Sequence, residues 1–200
     1  WSEPIDSTVR EEFKIDDDVF VMLCASRFAH DKGHKFLINA LYELKKMTGR
    51  KFKCILSSDG PLLEECKKQV EDMGLTDVVI FTGFRKDIKN LICGSDLYIN
   101  SSEHEALSFL IIEVLACGVP IIATDMGGNR DIINDETNCG ILVQYNDHKG
   151  LAEAMIKIME DRELRQTLSK NALKTVNEKF NLDKVAQETY NLYEESLNKK

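Results

Sequence analysis

Six short apolar runs alternating with helical periodicities constrain this chain more than any other feature. Val19 to Ala25 ("VFVMLCA"), Phe52 to Ser58 ("FKCILSS"), Val78 to Thr82, Leu97 to Asn100, Val119 to Thr124 and Gly140 to Val143 have strand length and strand composition. Between them, Lys35 to Thr48, Leu62 to Met73, Asp87 to Cys93 and Leu107 to Cys117 carry apolar residues at helical spacing. Strands joined through helices run parallel, because parallel neighbours need crossover connections. The pattern therefore predicts a doubly wound, Rossmann-like α/β fold, a parallel sheet of about six strands with helices on both faces. After Val143 only helical patterns follow. On the last of them Leu182, Ala186, Tyr190, Tyr193 and Leu197 share a face that is expected to dock on another surface.

The charge balance, 26 Lys and Arg against 34 Asp and Glu, is uneven along the chain. Residues 1–18 hold seven acids against Arg10 and Lys14, so the body beyond carries 27 acids and 24 cations. A mildly acidic body with no basic stripe argues against nucleic acid as a partner, since that affinity rests on phosphate neutralisation. An anionic ligand would have to be held by local groups. The six cysteines are scattered without a CxxC pair, a pattern of reduced thiols in a cytosolic chain with neither a metal site nor a disulfide framework. No apolar run approaches the roughly 20 residues of a membrane span. The divisions expected are an acidic lead segment (1–18), a Rossmann-like body (19–180) and a terminal helix (181–200). Trp1 opens in a linker-like stretch, as expected for a piece of a longer protein.

In open parallel sheets, ligands bind beyond the carboxyl ends of the strands, so the loops leaving those ends hold the candidates. The first, "SRFAHDKGH", sets Arg27 and Lys32 beside a turn closed by Gly33 where a helix should begin. Two cations at a helix N-terminus suit phosphate or pyrophosphate, although two solvated basic side chains fit the same residues. Neither GxGxxG nor GxxxxGK[ST] is present, which leaves a dinucleotide dehydrogenase and a P-loop NTPase unsupported. The second loop, "SSDGPLLEE", has turn chemistry at Asp59, Gly60 and Pro61. The third, "GFRKDI", offers Phe84 as a wall for a planar ring and Arg85 as a further cation. In "DMGGNR" two glycines allow either a close backbone approach to a ligand or simply a tight turn.

The run "EALSFLIIEVLACGVP" raises a sharper question, because Glu105 opens an apolar helix and Glu113 interrupts it. Ser102 and Glu105 match a capping box, and Glu113 fits pairing with an arginine from a neighbouring element. A carboxylate in an apolar helix is costly unless its oxygens are hydrogen-bonded, and the paired hydroxyls of a ribose would do this well. Eight residues of helix separate the two Cα atoms by about 12 Å, a spacing that suits the ends of an extended ligand better than a glycosidase pair.

"EALSFLIIEVLACGVPIIATDMGGNRDII" resembles the signature of the family 4 (group 1) retaining glycosyltransferases of the GT-B fold, and "SRFAHDKGH", "SSDGPL" and "FTGFRKDI" resemble the family's other landmarks in the same order. The resemblance spans about Val19 to Lys199 and implies the donor-binding C-terminal half of a two-domain transferase. The N-terminal acceptor domain would be absent and the terminal helix would cross back toward it. It implies that Arg27 and Lys32 neutralise the donor pyrophosphate, that Glu105 lies beside the sugar and that Glu113 holds the ribose. Backbone at Leu107, Ser108 and Phe109 would complete the phosphate site, Phe84 and Arg85 would meet the base, and Gly60 would line the donor. It implies no cofactor and no metal. The donor would be a nucleoside diphosphate sugar, UDP-sugar favoured over GDP-sugar, and the acceptor a saccharide or lipid-linked molecule, with the enzyme cytoplasmic or peripheral at the cytoplasmic membrane face. Ala106 and Ser108 stand where the family commonly has glycine, as does Ser58, and Asp131 where it commonly has Glu. The competing readings are a sugar-nucleotide epimerase of the same fold and a noncatalytic doubly wound module. A receiver-like module would place acids, rather than Arg27 and Lys32, after the first strand.

Overall fold

The computed structural model describes residues 1, 3 and 5–198. Six strands form one parallel sheet: β1 (Phe20–Ala25), β2 (Phe52–Ser57), β3 (Val79–Gly83), β4 (Leu97–Asn100), β5 (Ile121–Thr124) and β6 (Gly140–Val143), in the order β3-β2-β1-β4-β5-β6. The helices among the described residues are α1 (Val9–Glu12), α2 (His34–Met47), α3 (Leu63–Asp72), α4 (Ile88–Cys93), α5 (Phe109–Ala116), α6 (Asn129–Ile132), α7 (His148–Glu160), α8 (Arg162–Lys179) and α9 (Leu182–Asn198). The doubly wound α/β fold expected from the alternation is the fold observed.

β1 explains why the strands read as continuous apolar runs. Its residues are buried on both faces, so no polar alternation is left in the sequence. Phe20, Met22 and Cys24 join the core under α2, α3 and α7, with Leu37, Leu41, Val70 and Met155. Val21, Leu23 and Ala25 join the opposite core, with Leu91, Ile92, Ile111, Leu115 and Ala172. The strand order reverses between β1 and β4, so the crossovers diverge there and open a crevice at the carboxyl ends of those two strands.

The acidic lead is packed rather than loose from Ser7 onward. Val9 and Ile15 are buried in the second core, and Ser7 Oγ donates to the Asn90 carbonyl at 2.9 Å. Arg10 meets Asp96 at 3.1 Å, and the same Asp96 oxygen accepts from the Val21 amide at 2.8 Å, tying the segment to the start of β1. α9 behaves differently. Its described side chains are all exposed, with Leu182 at 80% and Leu197 at 73%, so its apolar face has no partner among the described residues.

Ser58, just past β2, has φ 133°, a backbone region that strongly favours glycine. Its amide donates to the Gly83 carbonyl at 2.9 Å, which holds it there. Such strain costs on the order of 1–3 kcal/mol, part of which glycine would return through a looser unfolded chain. Ser58→Gly is expected to stabilise the fold by about 1 kcal/mol and to raise the melting temperature by about 2–4 °C. Thermal denaturation checks it, and an unchanged or lower midpoint would contradict the strain argument.

Candidate functional site

The crevice between β1 and β4 contains a cavity of about 220 Å³ into which Arg27, Lys32, Glu105, Leu107, Ser108 and Phe109 converge. The chain departs from each strand end in a way that shapes it. After β1, Gly33 at φ 66° closes the turn into α2, and a Cβ there would stand 1.9 Å from the Ser101 carbonyl oxygen. This contact, the Ser101 hydroxyl donating to the Lys32 carbonyl (2.9 Å) and the Glu103 amide donating to the Asp31 carbonyl (2.8 Å) stitch the β1 and β4 loops together. After β5, Gly128 presses on the same β4 loop from the other side. A Cβ there would meet the Ala106 carbonyl oxygen at 1.6 Å, and the Gly128 amide donates to the Glu105 carbonyl at 3.0 Å. Both glycines lie in the turn after β5, with Gly127 at φ 39°, and that turn packs on the backbone of the Glu105 segment.

Lys32 and Glu105 form a partly buried ion pair at 3.1 Å, with side chains 23% and 15% exposed, and Asp31 lies 3.5 Å from the same Lys32 nitrogen. The pair also borders a second cavity of about 490 Å³ alongside His104, Ala106, Met126 and Gly127. Arg27 is exposed and has no ion pair among the described residues.

The capping box does not form. α5 starts at Phe109, two residues later than the periodicity suggested, and its N-cap is Ser108, whose side chain makes no capping bond. Glu105 therefore lies outside the helix and turns to Lys32. Ser102 instead offers its carbonyl to the Thr124 hydroxyl. No acid occupies the first turn of α5, so its free N–H groups face the cavity without a local counter-charge.

Glu113 sits one turn beyond Phe109, half-buried, with no hydrogen bond or ion pair among the described residues. The arginine partner allowed by the sequence is absent among them. Burial raises the pKa of its carboxyl. Gly60 packs against backbone: a Cβ there would lie 2.6 Å from the Phe28 carbonyl oxygen, and the Phe28 and Asp59 backbones are hydrogen-bonded at 2.8 Å. It shapes the β1 loop from behind. Phe84 is 66% exposed at the tip of the β3 loop, outside both cavities. Arg85 is drawn elsewhere. Its guanidinium donates to Asp87 at 2.8 and 2.7 Å and to both oxygens of Glu12, which pulls the Asp87 carboxyl below its usual range.

Sequence reasoning did not single out Ser26, Asn100, Ser101 or Tyr98 as site residues, and all of them line the cavity. Each lies on β4 or within one residue of a strand's carboxyl end, a positional signal that could have found them. A larger cavity of about 520 Å³ opens at the opposite edge of the sheet, near the strand beginnings. Two of its cations are already engaged, Lys45 with Asp77 at 2.6 Å and Lys51 with Asp18 at 3.0 Å. No cluster of metal-ligating side chains exists among the described residues, and no helix among them is long and apolar enough to cross a membrane.

A parallel sheet in the order 3-2-1-4-5-6, with cations and a helix N-terminus at its reversal, defines a Rossmann-like domain. The chain belongs to the glycosyl transferases group 1 family, whose family model matches residues 6–175. It is 27% identical over 189 residues to N-acetyl-alpha-D-glucosaminyl L-malate synthase of Bacillus anthracis, covering 94% of this chain and 49% of that protein. It is 30% identical over 189 residues to alpha-D-kanosaminyltransferase of Streptomyces kanamyceticus, covering 94% and 48%. Among solved structures it resembles Anabaena HepE in complex with UDP and glucose, with a TM-score of 0.83 at 26% identity over 94% of this chain and 51% of that one. The chain spans about half the length of the curated relatives it matches.

The desolvation of Glu113 makes a pH prediction. Its folded pKa is raised, so ionisation weakens the fold: the stability is full below the unfolded value of about 4.3 and declines as pH rises through the folded value. Glu113→Gln, neutral throughout, is expected to melt higher than the unsubstituted chain at pH 7. The difference should close below about pH 4, and thermal denaturation across pH checks both points. Equal midpoints at pH 7 would remove desolvation as the cause.

Proposed function

We propose that this chain is the donor-binding half of a retaining glycosyltransferase that takes its sugar from a nucleoside diphosphate sugar, a UDP-sugar rather than a GDP-sugar. The observation that carries this reading is the convergence, on one crevice of a net acidic chain, of Arg27, Lys32 and an α5 N-terminus without a side-chain cap, with Glu113, unpartnered among the described residues, one turn along the same helix. The cations and the helix start match a pyrophosphate, and Glu113 matches the two hydroxyls of a ribose. That HepE was solved with UDP and glucose supports the choice of base.

In this reading the diphosphate competes with Glu105 and Asp31 for the Lys32 ammonium. Charge grows on the diphosphate as the bond to the sugar breaks, so Arg27 and Lys32 act more strongly on the transition state than on the bound donor. Glu105, released from Lys32, lies at the border of the two cavities and contacts the sugar. Phe84 supplies a face for the base, while Arg85 acts through its ion pairs to hold that loop. The acceptor, a saccharide or a lipid-linked molecule at the cytoplasmic membrane face, is read by an N-terminal half of the kind its relatives' greater length accommodates, and the exposed face of α9 packs on that half.

Calorimetric titration with UDP, GDP, UDP-glucose, UDP-N-acetylglucosamine and GDP-mannose tests the reading. The UDP series is expected to bind and the GDP series not. Hydrogen bonds to a charged acceptor contribute about 1.5–3 kcal/mol, so Glu113→Ala is expected to weaken UDP by about ten-fold or more. Arg27→Ala is expected to weaken UDP and leave uridine unaffected. UDP binding unmoved by both substitutions would place the nucleotide elsewhere.

A further inference from the structure

His34 is a buried titratable group to which the donor site gives no role. It opens α2, is 2% exposed and stacks on Phe28, with ring centroids 4.1 Å apart and planes 20° apart. Desolvation pulls its pKa down to about 4, against a hydrogen bond to the Ser26 backbone carbonyl that favours the protonated ring. The ring is therefore neutral near pH 7, with one proton to place. Nε2 lies 3.3 Å from the Ser26 hydroxyl oxygen, whereas Nδ1 is buried without a partner. A buried N–H lacking an acceptor is rarer than an unfilled acceptor lone pair. The hydrogen-bond pattern thus assigns the proton to Nε2, which donates to Ser26 and leaves Nδ1 bare.

This tautomer fixes what Ser26 can do. Its oxygen accepts from His34, so its own O–H remains to be donated. Ser26 is half-buried, follows the last residue of β1 and lines the 220 Å³ cavity beside Arg27 and Lys32. Cys24, the other polar group near that hydroxyl, is a thiol pushed up by burial to about 11, uncharged and a weak acceptor. The strongest acceptor that a cavity bordered by two cations and a helix N-terminus can admit is a phosphate oxygen.

We propose that Ser26 is a further phosphate ligand and that His34 is its positioning residue, aiming the Ser26 hydroxyl through an Nε2–H donor; this rests on the donor reading above. The ligand class is the diphosphate of the nucleotide, and uridine, which lacks it, is the control.

Calorimetry with UDP and with uridine reads the effect. Ser26→Ala is expected to weaken UDP about ten-fold and leave uridine unchanged, the size expected for one hydrogen bond to a charged acceptor. His34→Phe keeps an aromatic ring against Phe28 but removes the donor, and is expected to match Ser26→Ala. The double variant should be no weaker than either alone, because both remove one interaction. His34→Gln, which can return an N–H near the Nε2 position, should recover most of the affinity. Additive losses, or Ser26→Ala binding UDP like the unsubstituted chain while Arg27→Ala weakens it, would overturn this inference alone. Absence of UDP binding to the unsubstituted chain would overturn the donor reading with it. Nitrogen-15 NMR of His34 in the unsubstituted chain gives a check that needs no variant to fold: a proton on Nδ1 would sink the arrangement.

Discussion

The site depends on one steric constraint, the confinement of the β4 loop between two turns that must lack side chains. Gly33 meets the Ser101 carbonyl on one side and Gly128 meets the Ala106 carbonyl on the other, both at separations that exclude a Cβ. Held from both sides, the stretch from Ser101 to Ala106 has little freedom to move, and Glu105 is presented to Lys32 rather than to a helix. The start of α5 is set by the same confinement, so the position of its free N–H groups follows from the glycines of two other loops.

The electrostatics of the crevice are local. The chain is net acidic, and many of its surface cations are neutralised nearby, as Arg85 is by Glu12 and Asp87 and Lys45 by Asp77. Arg27 escapes this pairing at the crevice, and Lys32 is shared among carboxylates there. An exposed ion pair gains little over solvated partners, but a partly buried one such as Lys32–Glu105 is held in a lower dielectric. Exchanging Glu105 for a doubly charged ligand on Lys32 therefore changes the charge of the pocket without leaving the ammonium unpaired.

The fold was legible because parallel strands buried on both faces appear as uninterrupted apolar runs; β4 and β6 match their expected bounds residue for residue. Helix starts were less legible. Leu107 and Ser108 have helical periodicity, but the loop confinement keeps them out of α5, a tertiary effect that no local pattern carries. The same holds at the site. Arg27, Lys32 and Glu105 could be named from their place after strand ends, whereas Arg85 has an equally suitable position and is withdrawn by Glu12, 73 residues away in the chain. Ser26 was not singled out because a serine after a strand is unremarkable until the buried His34 beside it is seen.

The reversal of strand order also has a kinetic consequence. β1 pairs with β2 along six residues, but with β4 only at Met22–Leu97 and Leu23–Tyr98, contacts that join residues 75 apart in the chain. Contacts between distant segments carry the larger loop-closure entropy and form late. During synthesis β1, β2 and β3 can assemble as one leaf before β4 has emerged, with β4, β5 and β6 closing on it as a second. The crevice lies on that seam, so a chain with half its sheet formed has Arg27 and Lys32 but nowhere to bring them together with Glu105: the crevice arises in a single step, when the two leaves join.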